Sequence, residues 1–195
     1  MHRFVILPAL VSGVTLMATE RPSYTVERRA SGIEIRQYRP YIVAQTDVEA
    51  SMERAGNEAF RRLGGYIFGA NGTGQKIAMT APVAMSPLPE STEVAARGKG
   101  FRVTFMMPSS FTLASLPPPK DSRVTFAEVP ARRMAALAYG GNWSEARYQA
   151  HLEKLQAALA AEGLKAVGAP VWARYDSPMM PSFMRTNEIL VELAP

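Results

Sequence analysis

Cysteine is absent from the 195 residues, and histidine occurs only at His2 and His151. The first absence removes disulfides, thiolate nucleophiles, Cys-ligated zinc and iron–sulfur clusters. The second removes most catalytic triads and every multi-histidine metal site. No Gly-x-Ser-x-Gly elbow occurs, and no run of five or more basic residues. A nucleic-acid partner is therefore not expected. Neither a long charge block nor a shortage of Leu, Ile and Val is found, which excludes global disorder.

What remains suits an ordinary globular domain, with 47% hydrophobic and 20% charged residues in a chain long enough to bury a core. Basic residues outnumber acidic ones by 22 to 17, giving a net charge of +5. The excess is scattered arginine, as in Arg28-Arg29, Arg61-Arg62 and Arg132-Arg133. A basic surface favours acidic partners, small carboxylates among them. Residues 1–18 place Met-His-Arg before an apolar run from Phe4 to Ala18. That is the pattern of a secretory signal peptide, and it is shorter than the roughly twenty residues of a membrane span. Export to the periplasm or medium is expected, with membrane attachment only if this segment is retained.

From Tyr24 onward, period-two alternation marks strands at 24–28, 33–38 and 41–48. Ser51 opens a helix to Leu63 with the stripe Met52, Ala55, Ala59 and Leu63, and Gly64-Gly65 is expected to stop it. A loop, Gly69 to Gly74, leads to an expected strand at 76–79 ended by Pro82, and 101–106 is a further strand. After Pro117-Pro118-Pro119 come strands at 123–129 and 134–139, a helix at 144–161, and strands at 167–175 and 187–193. Both halves read strand, helix, strand, strand, and each carries Ala-Pro-Val, at Ala81-Pro82-Val83 and Ala169-Pro170-Val171. An internal duplication with pseudo-two-fold symmetry follows.

Few motifs carry chemistry. The Gly69–Lys76 loop lacks the Lys-Ser or Lys-Thr and the following helix of a phosphate loop, so it reads as a connection. His151 lies at an apolar helix margin, where a structural role is the simpler reading. Glu53 and Glu58 read as solvated helix charges. The eleven methionines are core fillers in the main. Met179-Met180-Pro-Ser-Phe-Met184, in a Pro-bounded loop, instead suggests a binding surface. Arginines beside an apolar cleft would suit a flat hydrophobic ligand carrying carboxylates.

Lys76-Ile-Ala-Met-Thr-Ala-Pro-Val83 resembles the signature of the SOUL haem-binding family. In matching order stand Tyr24-Thr-Val-Glu27, Ile33-Glu-Ile-Arg-Gln-Tyr38, Ala173-Arg-Tyr-Asp-Ser-Pro178 and Arg185-Thr-Asn-Glu-Ile189. The resemblance spans residues 23–194 and implies one α+β domain, a distorted antiparallel barrel-like sheet with two helices. Its two β-α-β-β repeats would cover about 33–108 and 123–194. It also implies reversible binding of haem or another tetrapyrrole in a shallow apolar groove beside the first helix. Met52, Gly56 and Phe60 would line that groove, Arg61 with Arg54 or Arg62 would meet the propionates, and Tyr175 to Met180, including Met179, would close it. Gln37 stands where some members carry a histidine proposed as iron ligand, and Met180 replaces a basic residue often found there. Binding without a strong protein ligand to iron is thus expected, with His151 as the fallback ligand. The alternatives are an enzyme of the same fold, which would need a buried acid in the cleft, and a protein-interaction module using the Met-rich loop.

Overall fold

A computed structural model describes residues 19–89 and 100–195; the expected leader lies outside them. In chain order the elements are β1 (Tyr24–Ala30), β2 (Ile33–Tyr38), β3 (Tyr41–Glu49), α1 (Met52–Ile67), β4 (Val83–Pro87) and β5 (Gly100–Met106). There follow β6 (Thr125–Val129), β7 (Arg132–Gly140), α2 (Glu145–Ala161), β8 (Ala166–Arg174) and β9 (Thr186–Leu193), with a 3-10 turn at Ser182–Met184. The nine strands form one antiparallel sheet in the order β1-β2-β7-β9-β8-β4-β5-β3-β6, curled into a half-barrel. Exchanging β2 with β6, β3 with β7, β4 with β8 and β5 with β9 reverses this order without changing it, leaving β1 as an addition at one edge. The two halves meet where β4 pairs β8, with Ala84 opposite Ala173 and Met85 opposite Trp172.

Alternation decides what each face buries. Ile33, Ile35, Ala44, Val48, Val103, Phe105, Trp172, Ile189 and Val191 pack with Ala55, Ala59 and Leu63 of α1 and with Leu155 and Leu159 of α2. Both helices therefore cover the same side of the sheet, α1 over β3 and β5, α2 over β7, β8 and β9. Tyr38, Met134, Ala136, Ala173 and Leu190 point to the other, concave side and form a separate apolar cluster.

Two local expectations fail. Helix α1 continues through Gly64-Gly65 to Ile67. Burial of Tyr66 and Ile67 outweighs the helix penalty of about 1 kcal/mol per glycine. Gly64 also leaves room for the rings of Phe60 and Phe68, which lie 3.3 Å and 3.6 Å from where its Cβ would be. Termination falls instead at Gly69, whose φ of +107° favours glycine. The second failure is 76–79, which is irregular: only Ile77 is buried there, and its N–H donates to the Ile67 carbonyl at 2.8 Å. Pro82 precedes the strand, β4, rather than ending one. The glycine loop is a connection, held by Asn71, whose side chain bonds the backbone of Tyr66, Thr73 and Gln75.

Candidate functional site

An α-helix turns about 100° per residue, so Met52, Gly56 and Phe60 advance about 40° per step along one stripe of α1. Met52 is buried, and Phe60, 39% exposed, tilts against Phe105 at 5.7 Å between ring centres. At Gly56 the helix passes close to β4 and β8. A Cβ there would lie 3.1 Å from Arg174 Nη1 and 3.5 Å from Met85 Cε. Glycine thus makes space for a guanidinium at the midline between the two helices.

That guanidinium has unusual company. Arg174 lies over the rings of Trp172 at 4.1 Å and Trp143 at 4.7 Å. Its Nε is buried without a hydrogen-bond partner, and it forms no ion pair among the described residues. Burial draws its pKa down to about 10, against weaker support from Tyr139 and Glu53, so it stays charged at neutral pH. Cation–π contacts stabilise such a charge by about 0.5–2 kcal/mol each but supply no acceptor for its N–H groups. Trp143 is itself anchored, donating from Nε1 to Asn187 Oδ1 at 2.8 Å.

A second arginine ties the late loop to this place. Arg185 lies 4.6 Å from the Trp143 ring and donates to the carbonyls of Met180 at 2.7 Å and Pro178 at 2.6 Å. The loop anchored in this way carries Met179, 93% exposed, and Phe183, 82% exposed.

Not every residue singled out from the sequence comes here. Arg61 and Arg54 are exposed, and they point about 140° and 160° around α1 from Gly56. Arg61 borders a separate depression with Tyr66, Lys120 and Asp121. Arg62 is engaged with Thr46, the Asp47 carbonyl and Glu58. Met179 and Met180 belong to the late loop beside the stack. Tyr175 faces the concave side, where its hydroxyl donates to Glu188 Oε2 at 2.5 Å. His151 stacks on Tyr139 at 4.1 Å, with Nδ1 2.7 Å from the Arg147 carbonyl. Among the described residues no three His, Asp or Glu side chains cluster as a metal site.

Sequence reasoning missed Arg174 and Trp143. The signal for Arg174 was present, because alternation in Trp172-Ala-Arg174 puts both side chains on the helix-covered face. Sequence reasoning also found no buried acid, whereas Glu188 is one, 6% exposed. Arg36 donates to both its oxygens, at 2.9 Å and 2.6 Å, and also meets Glu34 and the Tyr38 hydroxyl. Burial opposes the Arg36 charge, but Glu188 outweighs it and raises the Arg36 pKa above its ordinary value. Burial pushes Tyr38 up to about 12, and burial together with the Glu188 charge pushes Tyr175 up. Glu188 is therefore a compensated charge, with neither oxygen free for proton transfer.

The nine-stranded sheet with both helices on one side defines an α+β half-barrel scaffold. Residues 19–192 match the family described as SOUL heme-binding protein, and the chain belongs to that family. It is 31% identical over 139 residues to heme-binding protein 1 of Mus musculus, with 71% of each chain covered. Among solved structures, the EcmrR C-terminal domain superposes with a TM-score of 0.62 at 12% identity, over 88% of this chain and 98% of that one. A hydrolase from Listeria innocua gives 0.57 at 11% identity, over 86% and 94%. At such identities these two share the fold.

Proposed function

We propose that the protein binds haem or a related tetrapyrrole reversibly, without a strong protein ligand to iron, in the shallow groove between α1 and the loop that follows β8. The observation that carries this is Arg174, a half-buried arginine whose buried Nε lacks a hydrogen-bond partner, between two indoles and beside the glycine of the α1 stripe. A porphyrin propionate would supply the missing acceptor through charge-assisted hydrogen bonds. Phe60, Trp143, Met179 and Phe183 offer apolar surface to the macrocycle, which gains about 25 cal/mol per Å² of area buried. Family membership supports the ligand class. The role is binding rather than catalysis, in keeping with a buried acid whose oxygens are already occupied. The leader-like residues 1–18 support a place in the periplasm or outside the cell.

Titration of residues 19–195 with haemin and with iron-free protoporphyrin tests the proposal. The expected result is saturable one-to-one binding of both, with similar affinities. Binding of haemin alone would overturn ligand-free iron and direct attention to His151. Saturation by neither would remove the function.

A further inference from the structure

The concave side of the sheet holds a second site. A cavity of about 200 Å³ lies there, partly open to solvent, with an apolar wall that includes Tyr38, Val43, Ala84, Met134, Ala173 and Leu190. No acidic side chain lines it, and two arginines do, Arg102 and Arg132. Their states differ. Arg102 makes a two-point ion pair with Asp47, at 2.7 Å and 2.8 Å, so its charge is met. Arg132 donates from Nη2 to the Tyr41 hydroxyl at 3.0 Å, while its Nε is buried without a partner. It forms no ion pair among the described residues. Glu192 borders the neighbouring depression, which shares Arg132 and Met134, and makes no ion pair with Arg132. One uncompensated cation thus sits on the rim of an apolar cavity.

Size and charge together select the occupant. At about 200 Å³ the cavity is smaller than the roughly 300–1,000 Å³ pockets that take drug-sized ligands. We infer that this cavity binds a small amphipathic monocarboxylate, its carboxylate on Arg132 and its hydrocarbon body against Met134, Ala173 and Leu190. An apolar chain displaces water from that wall, and the carboxylate gives the guanidinium a two-point acceptor. At the far end Arg36 is already paired with Glu188, and Arg21 lies over the Tyr175 ring at 4.8 Å. Arg132, whose buried Nε lacks a partner, is the anchor for the carboxylate. The site lies across the sheet from Arg174 and is independent of the porphyrin groove.

Octanoate titrated into the protein by calorimetry, without porphyrin, is the test, with octan-1-ol as the neutral control of the same length. Octanoate is expected to bind one-to-one, with octanol weaker by about tenfold or more. Arg132→Gln should bring octanoate down to the level of octanol and leave octanol unchanged. Ala84→Phe, which fills the cavity from a partly exposed position, should abolish both. Equal affinity for acid and alcohol, or octanoate binding that survives Arg132→Gln, would overturn the inference, as would no saturable binding. Because porphyrin binding is read separately, failure here leaves the helix-face groove standing, and the converse also holds.

Discussion

The two faces of the sheet treat inward-pointing arginine in opposite ways. On the concave face Arg36 is buried at 4% exposure and meets Glu188, Glu34 and Tyr38, so all of its charge is answered from within the chain. On the helix-covered face Arg174 is packed between indoles with no acceptor. Burial opposes both cations; Glu188 reverses the effect on Arg36, and nothing reverses it on Arg174. Charge compensation separates the two: one is answered within the chain, the other is not. Arg132 follows Arg174 rather than Arg36, although it shares a face with the latter.

The largest expected effect breaks the compensated side. Glu188→Ala leaves Arg36 buried without its main partner and should lower stability by about 3 kcal/mol, read as a fall in the urea midpoint at unchanged slope. The double variant Arg36→Met with Glu188→Leu should recover most of that loss, since an apolar pair of similar volume replaces a buried ion pair at little cost. Failure to recover would show that Glu34, Tyr38 or Tyr175 needs the pair in place.

Next comes the uncompensated side. Arg174→Met removes a charge that lacks an acceptor, so the midpoint should move little, while protoporphyrin affinity falls by about 10- to 100-fold. The pH dependence has a definite sign. Between about 10 and 12.5 the unfolded chain holds the Arg174 proton that the folded chain releases, so this group favours folding increasingly as pH rises there. Binding moves the other way, weakening above about 10 as the cation is lost, and Arg174→Met should erase that upper limb in a pH titration.

The smallest effects sharpen the boundary of the groove. Arg61→Glu, on the far side of α1, should change protoporphyrin affinity by less than about twofold, because an exposed charge beyond a Debye length of about 8 Å is largely screened. A large loss would return the propionate site to Arg61. His151→Ala should leave the haemin Soret band where it is, since the ring is stacked on Tyr139 with Nδ1 against the Arg147 carbonyl, on α2 rather than on the α1 stripe.

Much of this molecule is legible in the amino-acid sequence alone. Alternation places Tyr41 to Val48, Phe101 to Met106 and Asn187 to Leu193 in strands, and 3.6-residue spacing places both helices, because these periods follow from local backbone geometry. The ordered SOUL-like segments identify the family. The buried stripe Met52, Ala55, Ala59 and Leu63 is legible too, since i+3 and i+4 neighbours need only one helix. Local signals mislead where long-range packing prevails: buried Tyr66 and Ile67 carry α1 past two glycines, and Ile77 is held to Ile67 rather than to a strand.

The partners of charges are beyond the sequence. Glu188 and Arg36 stand 152 positions apart, and only the chain of pairings from β2 through β7 to β9 brings them together. Arg174 looks like any strand arginine until β8 is set beside β4, α1 crosses it at Gly56 and Trp143 folds over it. Composition and periodicity determine which elements form and which of their faces turn inward, because those are short-range properties. Which cation finds an anion is decided by contacts between distant segments, and these exist only in the folded sheet.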